Sequence, residues 1–409
     1  RNNSNPSGSM NLFAATSIGV GAMIGAGIFA LIGIAVDVAG RLAFLAFIIA
    51  GFITLFTAYS FARLAVAYPK EGGPVEYLNQ AFGRGRFAGS LNISLWLGYI
   101  IVTSLYARAF GEYATALVGI GEESIWLNIF GTSVVVLFVA VNFSGASLVG
   151  SSELLIVAVK VAILLIFSIL GFTTFEIGDL AVPEKIDFSN LILASGIVFM
   201  SFEGFGLVAN TAEDIRNPSR NLPRALYLSV LIVLVIYVLV TVVVIGNLSV
   251  TEILEAKEYV LAEAAKPLLG SMGFSIMAIA ALFSTASAIN ATIYGPVKML
   301  REIAQAGQMP AFMTRTIWGV DSGIPLIITG ALVVLISNTL NLESIAEAGS
   351  MIFLVVYTAI NVANLKLRKI TGSKILPVIA GISGTTFASV MLVHYQLQKG
   401  SNTLVVLAV

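Results

Sequence analysis

The stretch GVGAMIGAGIF, residues 19–29, sets four glycines, Gly19, Gly21, Gly25 and Gly27, inside an apolar run of membrane-spanning length. Glycine costs a helix interior about 1 kcal/mol relative to alanine, so the span is weakest where a helix should be most regular. Two readings follow. Gly21 and Gly25, four residues apart, make a GxxxG face on which another helix can pack closely. Alternatively, the helix is interrupted near Gly25-Ala26-Gly27 at mid-membrane. Its freed N–H and C=O groups are costly in lipid and persist only around a cavity or a ligand.

The surrounding chain sets the context. Of its 409 residues 58% are hydrophobic and 11% charged, with a mean hydropathy of +0.96. This composition predicts an all-α integral membrane protein. Apolar runs of about 20 residues, enough to cross ~30 Å of hydrocarbon, recur along it. They fall at 12–36, 42–62, 87–107, 125–143, 154–172, 191–209, 225–246, 272–293, 325–340, 345–363 and 375–395, with 404–409 as the start of a twelfth. The whole chain, 1–409, reads as one transporter-like membrane domain with no soluble portion.

Charge distribution orients it. Arg1, Arg63, Lys70, Arg84, Arg86, Arg216, Arg220, Arg224, Lys298, Arg301, Arg315, Lys366, Arg368, Lys369 and Lys374 fall in the amino terminus and one set of alternate connections. The other set holds only Arg41, Lys185, Lys257, Lys266 and Lys399. Cytoplasmic loops retain Lys and Arg, which predicts a cytoplasmic amino terminus in a multi-pass cell-membrane protein. Residues 1–10 are polar and lack the apolar core of a signal peptide. No basic patch suits a nucleic acid, lipid is the expected surrounding, and the zero cysteines exclude disulfides and thiolate metal sites.

A second glycine-rich stretch lies in the sixth span: FMSFEGFG, residues 199–206, with Gly204-Phe205-Gly206 among aromatics. If residues 12–173 (helices 1–5) and 190–365 (helices 6–10) are halves of opposite orientation, the two stretches occupy corresponding positions. That correspondence points to a transporter site between the repeats. Residues 375–409 then carry helix 11 and the start of helix 12. Two connections have their own character. In EDIRNPSRNLPRAL, 213–226, Pro218 and Pro223 are expected to stop helix and make a basic elbow. In YPKEGGPVEYL, 68–78, a Gly-Gly-Pro turn precedes a short amphipathic piece.

Other function classes fit poorly. An intramembrane enzyme is poorly supported by one histidine, no cysteine, no HExxH and no serine–base pair. A channel would line a continuous polar pore, whereas the polar residues cluster at one depth.

GAMIGAGIF in the first span, FMSFEGFG in the sixth, NPSRNLPRAL after it and NATIYGPVKML in the eighth, taken in this order, resemble the amino acid, polyamine and organocation permeases. The likeness is greatest to their prokaryotic proton-coupled amino acid transporters and runs from about Leu12 to Tyr395. The resemblance implies the five-plus-five inverted-repeat fold of sodium-coupled neurotransmitter transporters, about twelve membrane helices with helices 1 and 6 broken at mid-membrane, and alternating access. It implies an amino acid substrate, proton symport and no cofactor beyond the coupling ion H+. An amino acid or polyamine exchanger without net proton coupling is the alternative.

On that reading the N–H groups of Ala26, Gly27 and Ile28, at the positive end of a resumed helix, suit a carboxylate. Carbonyls around Phe199, Met200, Ser201 and Glu203 suit an ammonium. Matching family positions assign substrate binding to Met23, Gly25, Ala26, Gly27, Met200, Ser201 and Glu203. Many relatives carry an aromatic gate at the position of Met200, which leaves Phe199 or Phe202 as the lid. Lys160, in the span 154–172, either snorkels toward an interface or performs a task. The resemblance implies the second: a lysine where sodium binds in sodium-coupled cousins, partnered by the carbonyl of Gly21 and the hydroxyl of Ser284 and carrying the proton. Glu203 competes for that role, or faces a cationic side chain, or makes a structural hydrogen bond.

Overall fold

A computed structural model describes residues 10–69, 73–120, 124–144, 151–175, 187–317 and 323–399. Its elements are helices. In chain order they are α1 (Leu12–Met23), α2 (Ala26–Ala39), α3 (Ala43–Ala67), α4 (Gly73–Phe82), α5 (Arg86–Val118), α6 (Ser124–Phe143), α7 (Ser151–Gly171), α8 (Phe188–Val198) and α9 (Gly206–Asn210). There follow α10 (Pro218–Asn247), α11 (Val250–Ala256), α12 (Val260–Ala264), α13 (Lys266–Gln305), α14 (Gly323–Thr339), α15 (Leu342–Lys366), α16 (Arg368–Thr371) and α17 (Ile375–Lys399).

Nine helical stretches among the described residues are long and apolar enough to cross a membrane, with shorter apolar helices at Leu12–Met23 and Gly323–Thr339. Each of the eleven complete runs read from hydropathy overlies apolar helix. The lower number arises because the first run is divided between α1 and α2, α2 continues into α3 through a 3-10 turn at Gly40–Leu42, and α14 has only 17 residues. The twelfth run, 404–409, lies outside the described residues.

Side-chain caps set several helix starts. Asn11 accepts the N–H of Ala14 at 2.8 Å, Asp187 those of Ser189 and Asn190, and Asn341 that of Ser344. At α10 the elbow reading needs correction. Pro218 stands at the first helical position, where its missing N–H is no loss, and Pro223 is carried inside the helix. The turn is made one residue earlier by Asn217, in the left-handed region at φ 52°. Gly73–Phe82, after the Gly-Gly-Pro turn, is the short helix α4.

Burial separates core from periphery. The most apolar windows of residues 188–210 and 86–118 are 94% and 78% buried, against 22% for 125–143 and 28% for 375–398. The first two therefore form the centre. The others turn apolar side chains such as Val136, Leu137, Leu376 and Leu397 outward, where lipid takes the place of a packing partner. At the centre, Phe61, Tyr77, Tyr99, Phe199, Phe205, Phe353 and Tyr357 form an edge-to-face aromatic cluster joining α3, α4, α5, α15 and the residues between α8 and α9.

Candidate functional site: the α1–α2 gap and the segment after α8

Helix α1 ends at Met23. Ile24 (φ −77°, ψ 66°) and Gly25 (φ −105°, ψ −130°) leave helical geometry before α2 begins at Ala26. The glycines here serve close approach. A Cβ on Gly25 would stand 2.9 Å from the Ala288 Cβ and 3.1 Å from the Tyr106 ring, and one on Gly27 2.9 Å from the Ser201 Cα. Gly204 answers from the other side, its Cβ position 2.6 Å from the carbonyl carbon of Ala22.

Residues 199–205 do not open. They tighten into a 3-10 helix between α8 and α9, and the Gly206 N–H continues the ladder to Glu203 and Gly204. The Gly-x-Gly read as an interruption therefore acts as a contact surface for α1, and Gly206 itself keeps right-handed helical angles.

Carbonyl oxygens at both places are served by side chains from other helices. The Ile24 carbonyl accepts Lys160 Nζ at 3.2 Å and the Ser284 hydroxyl at 2.8 Å. Tyr237 donates to the carbonyls of Met23 and Ser201, Tyr357 to that of Glu203 at 3.0 Å, and Ser350 to that of Ile197 at 2.6 Å. Two expectations change. Lys160, 3% exposed, donates to Ile24 and to the backbone carbonyl of Ser284 at 3.2 Å, where Gly21 and the Ser284 hydroxyl had been the expected partners. The reason lies in the helix end: Ile24 sits past the last turn of α1, so its carbonyl has no continuing ladder. Secondly, the Ser201 and Glu203 carbonyls, expected to be open to an ammonium, are engaged by phenols.

Gly21, Phe199, Met200 and Phe202 are buried. Gly21 lies within α1. Phe199 packs on the Tyr357 ring and Phe202 on that of Tyr237, with centroids 6.0 and 5.2 Å apart. Met200 reaches across to Gly349, whose Cβ position would fall 2.5 Å from its terminal methyl. Four polar atoms of this region are buried with no hydrogen-bond partner: both carboxyl oxygens of Glu203, the Ser201 hydroxyl and the Tyr99 hydroxyl. The N–H groups at the start of α2, residues 26–28, thus adjoin a segment that carries an unengaged carboxyl, and they suit an anionic group.

Tyr99, Tyr106, Tyr237 and Tyr357 were missed from sequence. A signal existed for Tyr237, the one aromatic side chain in LIVLVIYVLVTVVV, residues 231–244. A separate cavity of ≈ 510 Å³ lies among Glu112, Thr115, Tyr259, Glu263, Lys266 and Phe274. Its charges are paired locally, Arg108 with Glu112 at 3.1 Å and Lys266 with Glu263 at 2.7 Å. Among the described residues no group of three or more His, Cys, Asp or Glu side chains could hold a metal.

Comparison with known proteins bears on the class of protein. The family model described as amino acid permease matches residues 10–406. An uncharacterized protein of Methanocaldococcus jannaschii is 38% identical over 391 residues, covering 95% of this chain and 89% of the relative. The inner membrane transport protein YbaT of Escherichia coli is 29% identical, covering 97% and 92%. The methylthioribose transporter of Bacillus subtilis is 24% identical, covering 88% and 81%.

Proposed function

The chain belongs to the amino acid permease family, and from that premise we propose that it carries an amino acid together with a proton across the cell membrane by alternating access. Residues 12–173 and 190–365 act as the two opposed repeats, and the amino terminus is cytoplasmic. The substrate sits between the α1–α2 gap and residues 199–205, its carboxylate on the N–H groups at the start of α2. No cofactor is required; the coupling ion is H+.

The observation that carries this reading is the shared Ile24 carbonyl. Lys160 from α7 and Ser284 from α13 both donate to it, at the point where α1 stops. A protonated lysine makes charge-assisted hydrogen bonds, about twice as strong as those of a neutral amine. Gain or loss of one proton on Lys160 thereby strengthens or loosens the tie holding α7 and α13 to the edge of the substrate seat. Proton and substrate are linked through one carbonyl.

Reconstitution in liposomes tests it. Lys160→Ala is expected to abolish accumulation driven by an inward pH gradient while retaining exchange of labelled for unlabelled substrate. Gradient-driven accumulation equal to that of the parent would refute the coupling role. An absolute requirement for internal counter-substrate in the parent would identify an exchanger.

A further inference from the structure

The coupling step above makes no use of the Glu203 carboxyl. It is 1% exposed, and neither of its oxygens has a hydrogen-bond partner. Ser201, 3% exposed, and Tyr99, 1% exposed, add two more unpartnered hydroxyls. Buried polar groups are nearly always paired, so four such atoms in one neighbourhood mark a place that awaits a ligand. The acceptor among them with the most capacity is the carboxyl, which can take several N–H donors.

We propose that Glu203 receives the positively charged side chain of the substrate, so that the protein carries cationic amino acids such as lysine and arginine. This rests on the reading that the α1–α2 gap seats an amino acid.

Position separates a side-chain cation from the α-ammonium. Gly27 lies against Ser201 and Gly25 against the Tyr106 ring, so the start of α2 adjoins both. The Glu203 carboxyl acts electrostatically on Tyr106 and also on Tyr99, seven residues back on α5. Seven residues are two turns, about 10 Å along one face of that helix. A Cβ on Gly206 would stand 3.6 Å from the Tyr99 hydroxyl and 3.3 Å from that of Tyr357. The carboxyl therefore lies within electrostatic reach of the stretch of α5 between Tyr106, at the gap, and Tyr99. An α-ammonium shares its carbon with the α-carboxylate, and once that carboxylate sits on residues 26–28 it has no such reach. A lysine or arginine side chain, which carries its charge at the end of a long stem, does.

The surroundings suit a cation in a second way. Besides Tyr99 and Tyr106 from α5, the carboxyl acts on Tyr237 from α10 and Tyr357 from α15. The faces of tyrosine rings attract ammonium and guanidinium groups, most of all where water is excluded. α1 contributes no titratable side chain, and Lys160 of α7 is directed to the carbonyls of Ile24 and Ser284. Among these groups the cation that would neutralise Glu203 is supplied by the substrate.

The test compares charged substrates with neutral isosteres in liposomes containing the full chain: arginine with citrulline, and lysine with norleucine. The parent is expected to prefer the charged member of each pair by roughly tenfold or more in half-saturation, and Glu203→Gln to bring that ratio near one. Glu203→Asp keeps the charge one methylene shorter. It should retain the preference and favour arginine over lysine more than the parent does. Equal handling of arginine and citrulline by the parent overturns the proposal. So does a Gln variant that weakens both alike, the mark of an α-ammonium ligand or of a structural carboxyl. Cadaverine, which lacks the α-carboxylate, should compete weakly. Competition as strong as that of lysine, or failure of every amino acid to be taken up, would overturn the seat at α2 along with the proposal, an outcome distinct from loss of charge preference alone.

Discussion

At the scale of single residues, the informative contrast lies within one Gly-x-Gly. A methyl group on Gly204 would meet backbone atoms of Ala22 and Met23 at 2.6 and 2.7 Å, whereas on Gly206 its nearest neighbour is 3.3 Å away. Backbone cannot yield as a side-chain tip can. Gly204→Ala should therefore cost about 1–3 kcal/mol of stability and Gly206→Ala much less, seen as a lower melting temperature for the first in detergent. Equal melting temperatures would show that α1 does not press on this segment. Tyr237 makes a second case. Tyr237→Phe removes the donor to the buried carbonyls of Met23 and Ser201 and should cost about 1–3 kcal/mol by the same measurement.

At the scale of elements, the spans were legible because lipid imposes a length on apolar runs, and each of the eleven complete runs overlies helix. The glycines of residues 19–29 were legible as well: the boundary between α1 and α2 falls among them. The segment 199–205 was not. FMSFEGFG reads as a weak helix in the same way, but its glycines answer to α1, a partner about 180 residues away in the chain and invisible to a local pattern. Lys160 stood out as a lone lysine in an apolar span, while its partner carbonyl depended on where α1 ends. The start of α11 offers a prediction free of such distant contacts. Ser249 and Glu252 form a reciprocal cap, and the bonds from the Ser249 N–H and then its hydroxyl hold the Glu252 carboxyl below the usual range. A lowered value means that the carboxylate's contribution is present above the unfolded-state value and is lost as pH falls through the folded one. Glu252→Gln should accordingly speed amide exchange in 250–256 at pH 7, with a smaller difference at an acid pH below the usual carboxylate range once the exchange rates are corrected for intrinsic chemistry. The same excess at both values would exclude the ionised cap.

At the scale of the whole molecule, three amides join elements far apart in sequence. Asn92 of α5 donates to Gln308 at 2.8 Å and to Asn79 of α4 at 3.3 Å, and Gln308, past the end of α13, donates to Asn79 at 2.8 Å. With no native cysteine, a single introduced thiol reports on this corner without background. A cysteine at Ala88, fully buried, should react slowly with a maleimide in the parent and several-fold faster beside Asn92→Ala, which leaves Asn79 and Gln308 without their common partner. Unchanged reactivity would mean that the amides do not hold these helices together.

The start of α1 has a wider consequence. Met10 is joined to the stretch before α10 by two backbone bonds, Met10 N–H to the Asp214 carbonyl at 2.9 Å and Arg216 N–H to the Met10 carbonyl at 2.8 Å, and α1 packs along α10. α2 is anchored elsewhere, against α8 and against Lys257, whose carbonyl lies where a Gly33 methyl would be. The two pieces of the first span are thus held by different elements of the protein. On the proposed alternating-access reading, a swing of α1 with α10 against α2 with α8 converges on Ile24 and Gly25, which would make this two-residue joint the hinge as well as the rim of the proposed seat.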